Sequence, residues 1–155
     1  MKRLAILLLA VSLLCGATGA QREPSLQVLV GEFDEDTRSC GISASAIEPI
    51  AARTLRDSGI RVVRKSNPYL YIQPAAQPIR ISDAMPGCAV YIVVQVRGIH
   101  ETAKQDLNGF KAKNGAGTVL CQAGAIAIWP MSTIQTHLAA QLERRMKLCL
   151  GQLDY

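Results

Sequence analysis

The chain has 155 residues, 49% of them hydrophobic and 19% charged, with a formal net charge of +5 at pH 7. That length suits one domain, and the hydrophobic share excludes an intrinsically disordered chain. The weak basic excess is not the footprint of a dedicated nucleic-acid binder, so no nucleic acid is expected among the partners.

Lys2 and Arg3 precede an uncharged apolar run from Leu4 to Leu14, and small residues follow it: Gly16, Ala17, Thr18, Gly19 and Ala20. This is the three-part layout of a secretory signal peptide, with cleavage expected after Ala20. Residues 1–20 are therefore read as the signal peptide and residues 21–155 as a single α+β domain, periplasmic or secreted. The apolar run is roughly half of the ~20 residues a membrane span needs, so no transmembrane segment is expected in the mature chain. Lys2 and Arg3 leave with the signal, which reduces 17 basic side chains to 15 against 12 acidic ones. Cys15 raises the alternative of a lipid-modified bacterial lipoprotein, but Leu14 is larger than the residue such a site wants before its cysteine.

Leu26, Val28 and Val30 alternate as a first strand ending near Phe33. The run Glu32, Asp34, Glu35, Asp36 then reads as a loop containing Cys40 and Gly41. Ser45 and Glu48 form a capping box for a helix whose apolar stripe is Ile47, Ile50, Ala51, Thr54 and Leu55, with Pro49 leaving its start open by a turn. Gly59 supplies its C-terminal cap. Ile60 to Arg64 is a short β-branched strand, and Asn67-Pro68 marks a turn. Tyr69 to Ile72 forms another strand, after which Pro74 and Pro78 restrict pairing to an edge or a broken strand.

Pro86-Gly87 reads as the next turn. Cys88 to Arg97 is the clearest strand, with Val90, Ile92, Val94 and Val96 on one face and Ala89, Tyr91, Val93, Gln95 and Arg97 on a half-polar one. Gly98 to Gly117 is polar and is expected to be a loop or long hairpin. Thr118 to Trp129 is the last strand, in which Ala123, Gly124, Ala125 and Ala127 permit close packing on one face. After Pro130, Ser132 and Gln135 form a second capping box. Ile134, Leu138, Leu142, Met146 and Cys149 then mark an amphipathic helix ending at Gly151. These elements make an α+β two-layer sandwich: a mixed, mostly antiparallel sheet of four to five strands with two helices on one face. The first strand-helix-strand unit sets strands one and two parallel.

Cys40, Cys88, Cys121 and Cys149 remain after signal removal, at separations of 48, 33 and 28 residues that match no zinc or redox signature. An even count in an exported chain reads as two disulfides with three formal pairings. Cys121 lies nine residues before Pro130, roughly 30 Å at strand rise, and Cys149 seventeen after Ser132, roughly 26 Å at helix rise. If the last helix folds back along the last strand, the two sulfurs meet, which leaves Cys40 for Cys88.

No catalytic, cofactor-binding or metal-ligating set emerges. His100 with Glu101 reads as a solvated loop pair, and His137 as a flank of the helix stripe. Asn114 to Gly117 lacks the lysine and the strand-to-helix context of a phosphate loop. The acidic group at Glu32, Asp34, Glu35 and Asp36 does not follow an EF-hand pattern and reads as a solvated turn. Arg61, Arg64 and Lys65 read as charges defending an edge strand. Trp129, Tyr69 and Tyr71 could compose an aromatic patch, although a tryptophan beside a helix start is more often core.

The string IAARTLRDSGIRVV followed by PYLYI resembles the helix-strand-strand opening of small bacterial envelope proteins. It is similar to the N-terminal domain of the Tol system's periplasmic propeller protein and to the lipopolysaccharide-assembly lipoprotein fold, over residues 26–72. The CGI before the helix, with a later cysteine, also looks like short exported bacterial proteins. The resemblance implies strand-helix-strand units with a second helix on the same face, and carries over no functional residue. The expected role is a non-enzymatic interaction module of the bacterial envelope, meeting an envelope protein or a cell-surface polymer. The alternative is a secreted enzyme inhibitor presenting residues 34–44, or a small hydrolase using His100.

Overall fold

A computed structural model describes residues 23–98 and 119–153. The expected signal segment, Cys15, His100, Glu101 and the Asn114-Gly115 pair lie outside the described residues.

Five strands form one mixed sheet: β1 (Ser25–Val30), β2 (Arg61–Val62), β3 (Tyr69–Ser82), β4 (Met85–Arg97) and β5 (Val119–Pro130). Their order is β2-β1-β3-β4-β5. β1 lies parallel to both β2 and β3, and β3, β4 and β5 run antiparallel in sequence. Helix α2 (Ala44–Asp57) and helix α3 (Ile134–Leu150) cover one face, so the fold is an α+β two-layer sandwich. The core lies between the layers. Leu26, Leu70, Ile72, Val90, Ile92, Val94 and Val96 project from the sheet onto Ile47, Ala51 and Leu55 of α2 and Leu138, Leu142 and Met146 of α3, all buried.

The acidic run is only half loop, because Glu35 and Asp36 are helical. Glu35–Ser39 forms a third helix, α1, capped by Asp34, whose Oδ1 accepts the Thr37 N–H at 2.8 Å. Glu35 and Asp36 occupy the first turn, where the helix dipole favours carboxylates. Gly41, at φ 75°, closes α1: its N–H donates to the Arg38 carbonyl and that of Ile42 to the Thr37 carbonyl. Gly59, at φ 74°, closes α2 the same way, with the Ile60 N–H returning to the Leu55 carbonyl.

Both expected capping boxes are corrected. Ser43, not Ser45, caps α2, its Oγ accepting from the Ala46 N–H at 3.3 Å. Met131–Thr133 forms a 3-10 turn ahead of α3, and Thr133 precedes that helix without a side-chain cap bond. Gln135 instead donates its side-chain amide to the Gly41 carbonyl, tying α3 to the turn between α1 and α2.

β3 runs through both prolines. The Gly31 N–H bonds to the Ile72 carbonyl, so even-numbered β3 residues direct their backbone groups away from β4. β1 stops at Val30, opposite Ile72, and beyond it this side of β3 has no strand partner among the described residues. Pro74 and Pro78 have no N–H to leave unpaired there, and the N–H of Ala76 between them donates to Thr37 Oγ1 at 3.0 Å. The reversal that follows is at Asp83 and Ala84, because Ser82 pairs with Met85 and the expected Pro86-Gly87 turn lies inside β4. Gly87 is needed in that strand for clearance: a Cβ there would stand 2.5 Å from Ile81 Cδ1 and 2.7 Å from the Trp129 carbonyl oxygen.

Cys40 is joined to Cys88 and Cys121 to Cys149, with Cα separations of 6.1 and 5.2 Å. The first bridge ties the end of α1 to the start of the inner part of β4. The second fastens the last turn of α3 to the start of β5.

Candidate functional site

The helix-free face of the sheet divides into a polar and an apolar end. Across the polar end, the Arg97 Nε donates to Gln95 Oε1 at 2.7 Å, and Gln95 Nε2 donates to Gln122 Oε1 at 2.6 Å. The Arg97 guanidinium stands 4.2 Å above the Tyr71 ring, whose hydroxyl donates to Gln73 Oε1. The register produces this row, since Gln95 faces Tyr71 on β3 and Gln122 on β5. Every polar tip in it is engaged by a neighbour.

The apolar end lies toward β5. Tyr91 faces Ile126 across the β4–β5 pair, and Ala89 faces Ile128. Ile126 is 79% exposed, Ile128 59% and Tyr91 43%. Val93, expected on the half-polar face, does lie there but is only 7% exposed. Ile81 and Met85 extend the apolar corner at the β3–β4 hairpin. The small residues of β5 split between faces: Ala123, Ala125 and Ala127 alternate with Gly124, which turns to the open face beside Ile126.

β5 is also an edge. Alternation carried through the pairs Ile72↔Val94 and Val94↔Ala123 makes Cys121, Ala123, Ala125, Ala127 and Trp129 bond to β4. Gln122, Gly124, Ile126 and Ile128 therefore direct their N–H and C=O groups outward, and among the described residues none bonds to them. From Val119 to Pro130 the strand carries no charged side chain. The opposite edge differs in kind. β2 has two residues, the first of them the exposed Arg61, and exposed Arg64 and Lys65 follow it. Short length and charge are what protect a sheet edge from pairing, and β5 has neither.

The other sequence-derived candidates do not assemble. His137 stacks on the buried Trp129, ring centroids 5.7 Å apart, so the tryptophan belongs to the core rather than to an aromatic patch. Asp34 is held below its usual pKa by hydrogen bonds from the Thr37 hydroxyl and N–H, the capping role described above. Among the described residues no three metal-ligating side chains converge. A depression of about 490 Å³ lies on α3 between Ala140, Glu143, Arg144, Lys147 and Leu148. A smaller one, about 280 Å³, lies between α2 and β2 and is lined by Glu48 and Arg64. Glu143 in the first is bonded to Lys147 at 2.6 Å, which lowers its pKa. Neither depression holds a buried acid-base pair.

Ile126 and Ile128 are not among the candidates that the sequence marks by motif or charge. The signal available was a charge-free strand with isoleucine at alternate positions, AGAIAIWP, beside a helix that needs only one of its faces.

No family model matches the chain, and no curated protein matches it. Among solved structures it is similar to a minor lipoprotein from Acinetobacter baumannii at a TM-score of 0.39 and 11% identity, covering 84% of this chain and 96% of that one. It is also similar to a PelC dodecamer from Paraburkholderia phytofirmans at a TM-score of 0.39 and 17% identity, covering 79% of this chain and 85% of that one.

Proposed function

We propose that this chain is an exported, non-enzymatic interaction module of the bacterial envelope, which binds by adding a strand along β5. The observation that carries the reading is a twelve-residue, charge-free edge exposing Ile126 and Ile128. A protein left with such an edge either aggregates or pairs it, and main-chain hydrogen bonds with alternate side-chain contacts are how sheet edges take partners. Export is supported by the signal-peptide layout of residues 1–20 and by two disulfides, which persist in oxidising compartments. Among the described residues no helix is long and apolar enough to cross a membrane.

The inhibitor alternative gains nothing from residues 34–44. They are a short helix with its caps, fastened by Cys40–Cys88, and offer no extended segment for an enzyme cleft. The hydrolase alternative rests on His100.

A photo-crosslinking amino acid at position 126, compared with one at position 64 beside β2, tests the reading in living cells. The expected result is an adduct of defined mass from position 126 in the exported fraction and none from position 64. Equal labelling from both positions, or labelling from neither, contradicts it. The mass of the processed protein tests export itself, which requires an N-terminus at Gln21.

A further inference from the structure

We infer that the strand added to β5 is β5 of a second copy, in antiparallel register centred on Ala125. The inference rests on the strand-addition reading and names its occupant.

Self-complementarity of the edge carries the argument. Ile126 is the most exposed large apolar side chain described, and Gly124 lies two positions away on the same face. A Cβ at Gly124 would meet only ordinary contacts, at 3.5 Å from the Ile92 carbonyl oxygen and 3.8 Å from Val93 Cγ2. The glycine is therefore not required by its own sheet, yet it leaves a gap beside a protruding isoleucine.

In a two-fold pairing centred on Ala125, residue numbers of facing residues add to a constant. Ile126 of each copy then lies opposite Gly124 of the other, and Ile128 opposite Gln122. Each knob faces a hole, twice. The same register sets the outward-directed groups of Gln122, Gly124, Ile126 and Ile128 against their equivalents as hydrogen-bonded pairs, so no polar group of that stretch is left over. A shift of two residues would bring Ile126 against Ile126 and lose the fit.

Charge selects the same joint. The formal net charge of +5 falls to +3 once Lys2 and Arg3 leave with the signal, and like-charged copies meet most favourably where charge is absent. Val119 to Pro130 is such a strip, and the β2 edge with Arg61, Arg64 and Lys65 is not. Joining two five-stranded sheets edge to edge also brings the apolar corners of Tyr91, Ile126 and Ile128 from both copies onto one continuous face.

The test uses the disulfide-bonded protein purified after export, with mass measured by light scattering over a concentration series. The expected result is twice the chain mass, falling to the chain mass in Gly124→Val and in Ile126→Lys. Gly124→Val should leave the melting temperature unchanged or raised in the monomer, since valine suits a strand and its Cβ meets only ordinary contacts on this exposed face. The double variant Gly124→Ile with Ile126→Gly exchanges knob and hole and should restore the dimer. Ala125→Cys should form an intermolecular disulfide, because facing residues in such a pair have Cα atoms about 4.5 Å apart. Ile126→Cys should not.

A dimer indifferent to both Gly124→Val and Ile126→Lys overturns the inference, and so does a wild-type protein that is monomeric throughout. If that monomer still yields adducts from position 126 with another polypeptide, strand addition along β5 stands and only the second copy is wrong. If it yields none, both fail.

Discussion

The backbone N–H of Ala76 reaches the hydroxyl of Thr37 at 3.0 Å, between two prolines that have no N–H to place. The contact shows how β3 survives beyond the end of β1. Three successive outward positions would present three donors to a side where no described strand lies. Two are deleted by proline, and α1 supplies an acceptor for the third. Thr37 is buried, so its replacement cannot be repaired by water.

Thr37→Val should therefore cost about 1–3 kcal/mol, the usual cost of stranding one buried donor. Chemical denaturation measures it. Amide exchange should speed up at Ala76 and across α1 before the rest of the sheet responds. An unchanged midpoint would mean that the bond does not hold α1 in place.

The charge on Asp34 contributes to the same anchor. Its carboxyl is held below the ordinary value of 3.8, first by the Thr37 hydroxyl and then by the Thr37 N–H. A carboxylate with a depressed pKa stabilises the fold at pH above its unfolded value, and that contribution disappears as pH falls through the folded value. Asp34→Asn keeps a capping side chain but removes the charge. It should melt slightly lower than wild type at neutral pH, with the difference closing below the pH at which Asp34 protonates. A difference that persists fully in acid would assign the effect to shape rather than charge.

The two bridges should fail differently. Replacing Cys121 and Cys149 by alanine removes about 2–4 kcal/mol, which is worth roughly 2–8 °C per kcal/mol for domains of this order of size. The loss should first appear as faster exchange in the last turns of α3, since Gly151 and Leu153 lie just beyond the bridge. Replacing Cys40 and Cys88 should instead loosen α1 and the start of α2. Non-reducing peptide maps of the wild type should contain only the Cys40–Cys88 and Cys121–Cys149 peptides.

Gly87→Ala should destabilise the hairpin end of the sheet by about 1–3 kcal/mol, as overpacking does. Ile81 can turn aside, but the Trp129 carbonyl is backbone and must shift with β5. The variant that should be harmless to folding is Gly124→Ala, where the same added Cβ meets only ordinary contacts. Melting curves of the two side by side separate crowding from loss of glycine as such.

The disulfide pairing was legible in the sequence because rise per residue is a constant: helix and strand lengths from one turn decide which sulfurs meet. The helix stripes and the buried face of β4 were legible for the same reason of period. α1 escapes the pattern because five residues carry no periodicity, although Asp34 three before Thr37, with Gly41 beyond, is a cap-to-cap signature. The full length of β3 is hidden because a proline's effect depends on which side its nitrogen faces and on whether a strand lies there, and both follow from the pairing with β1. The candidate surface was hidden for a related reason. Ile126 and Ile128 become conspicuous only once β5 is known to be an edge, and strand order is set by long-range pairing that local pattern does not encode.

Amide exchange at Gly124, Ile126 and Ile128 in concentrated wild-type protein tests the pairing of β5 most directly. These N–H groups point away from β4, whereas those of Ala123, Ala125 and Ala127 point into the sheet. Slow exchange at both sets, with the first set becoming fast on dilution and in Gly124→Val, is the expected result. Fast exchange at Gly124, Ile126 and Ile128 at every concentration, while the alanines between them stay protected, would contradict it.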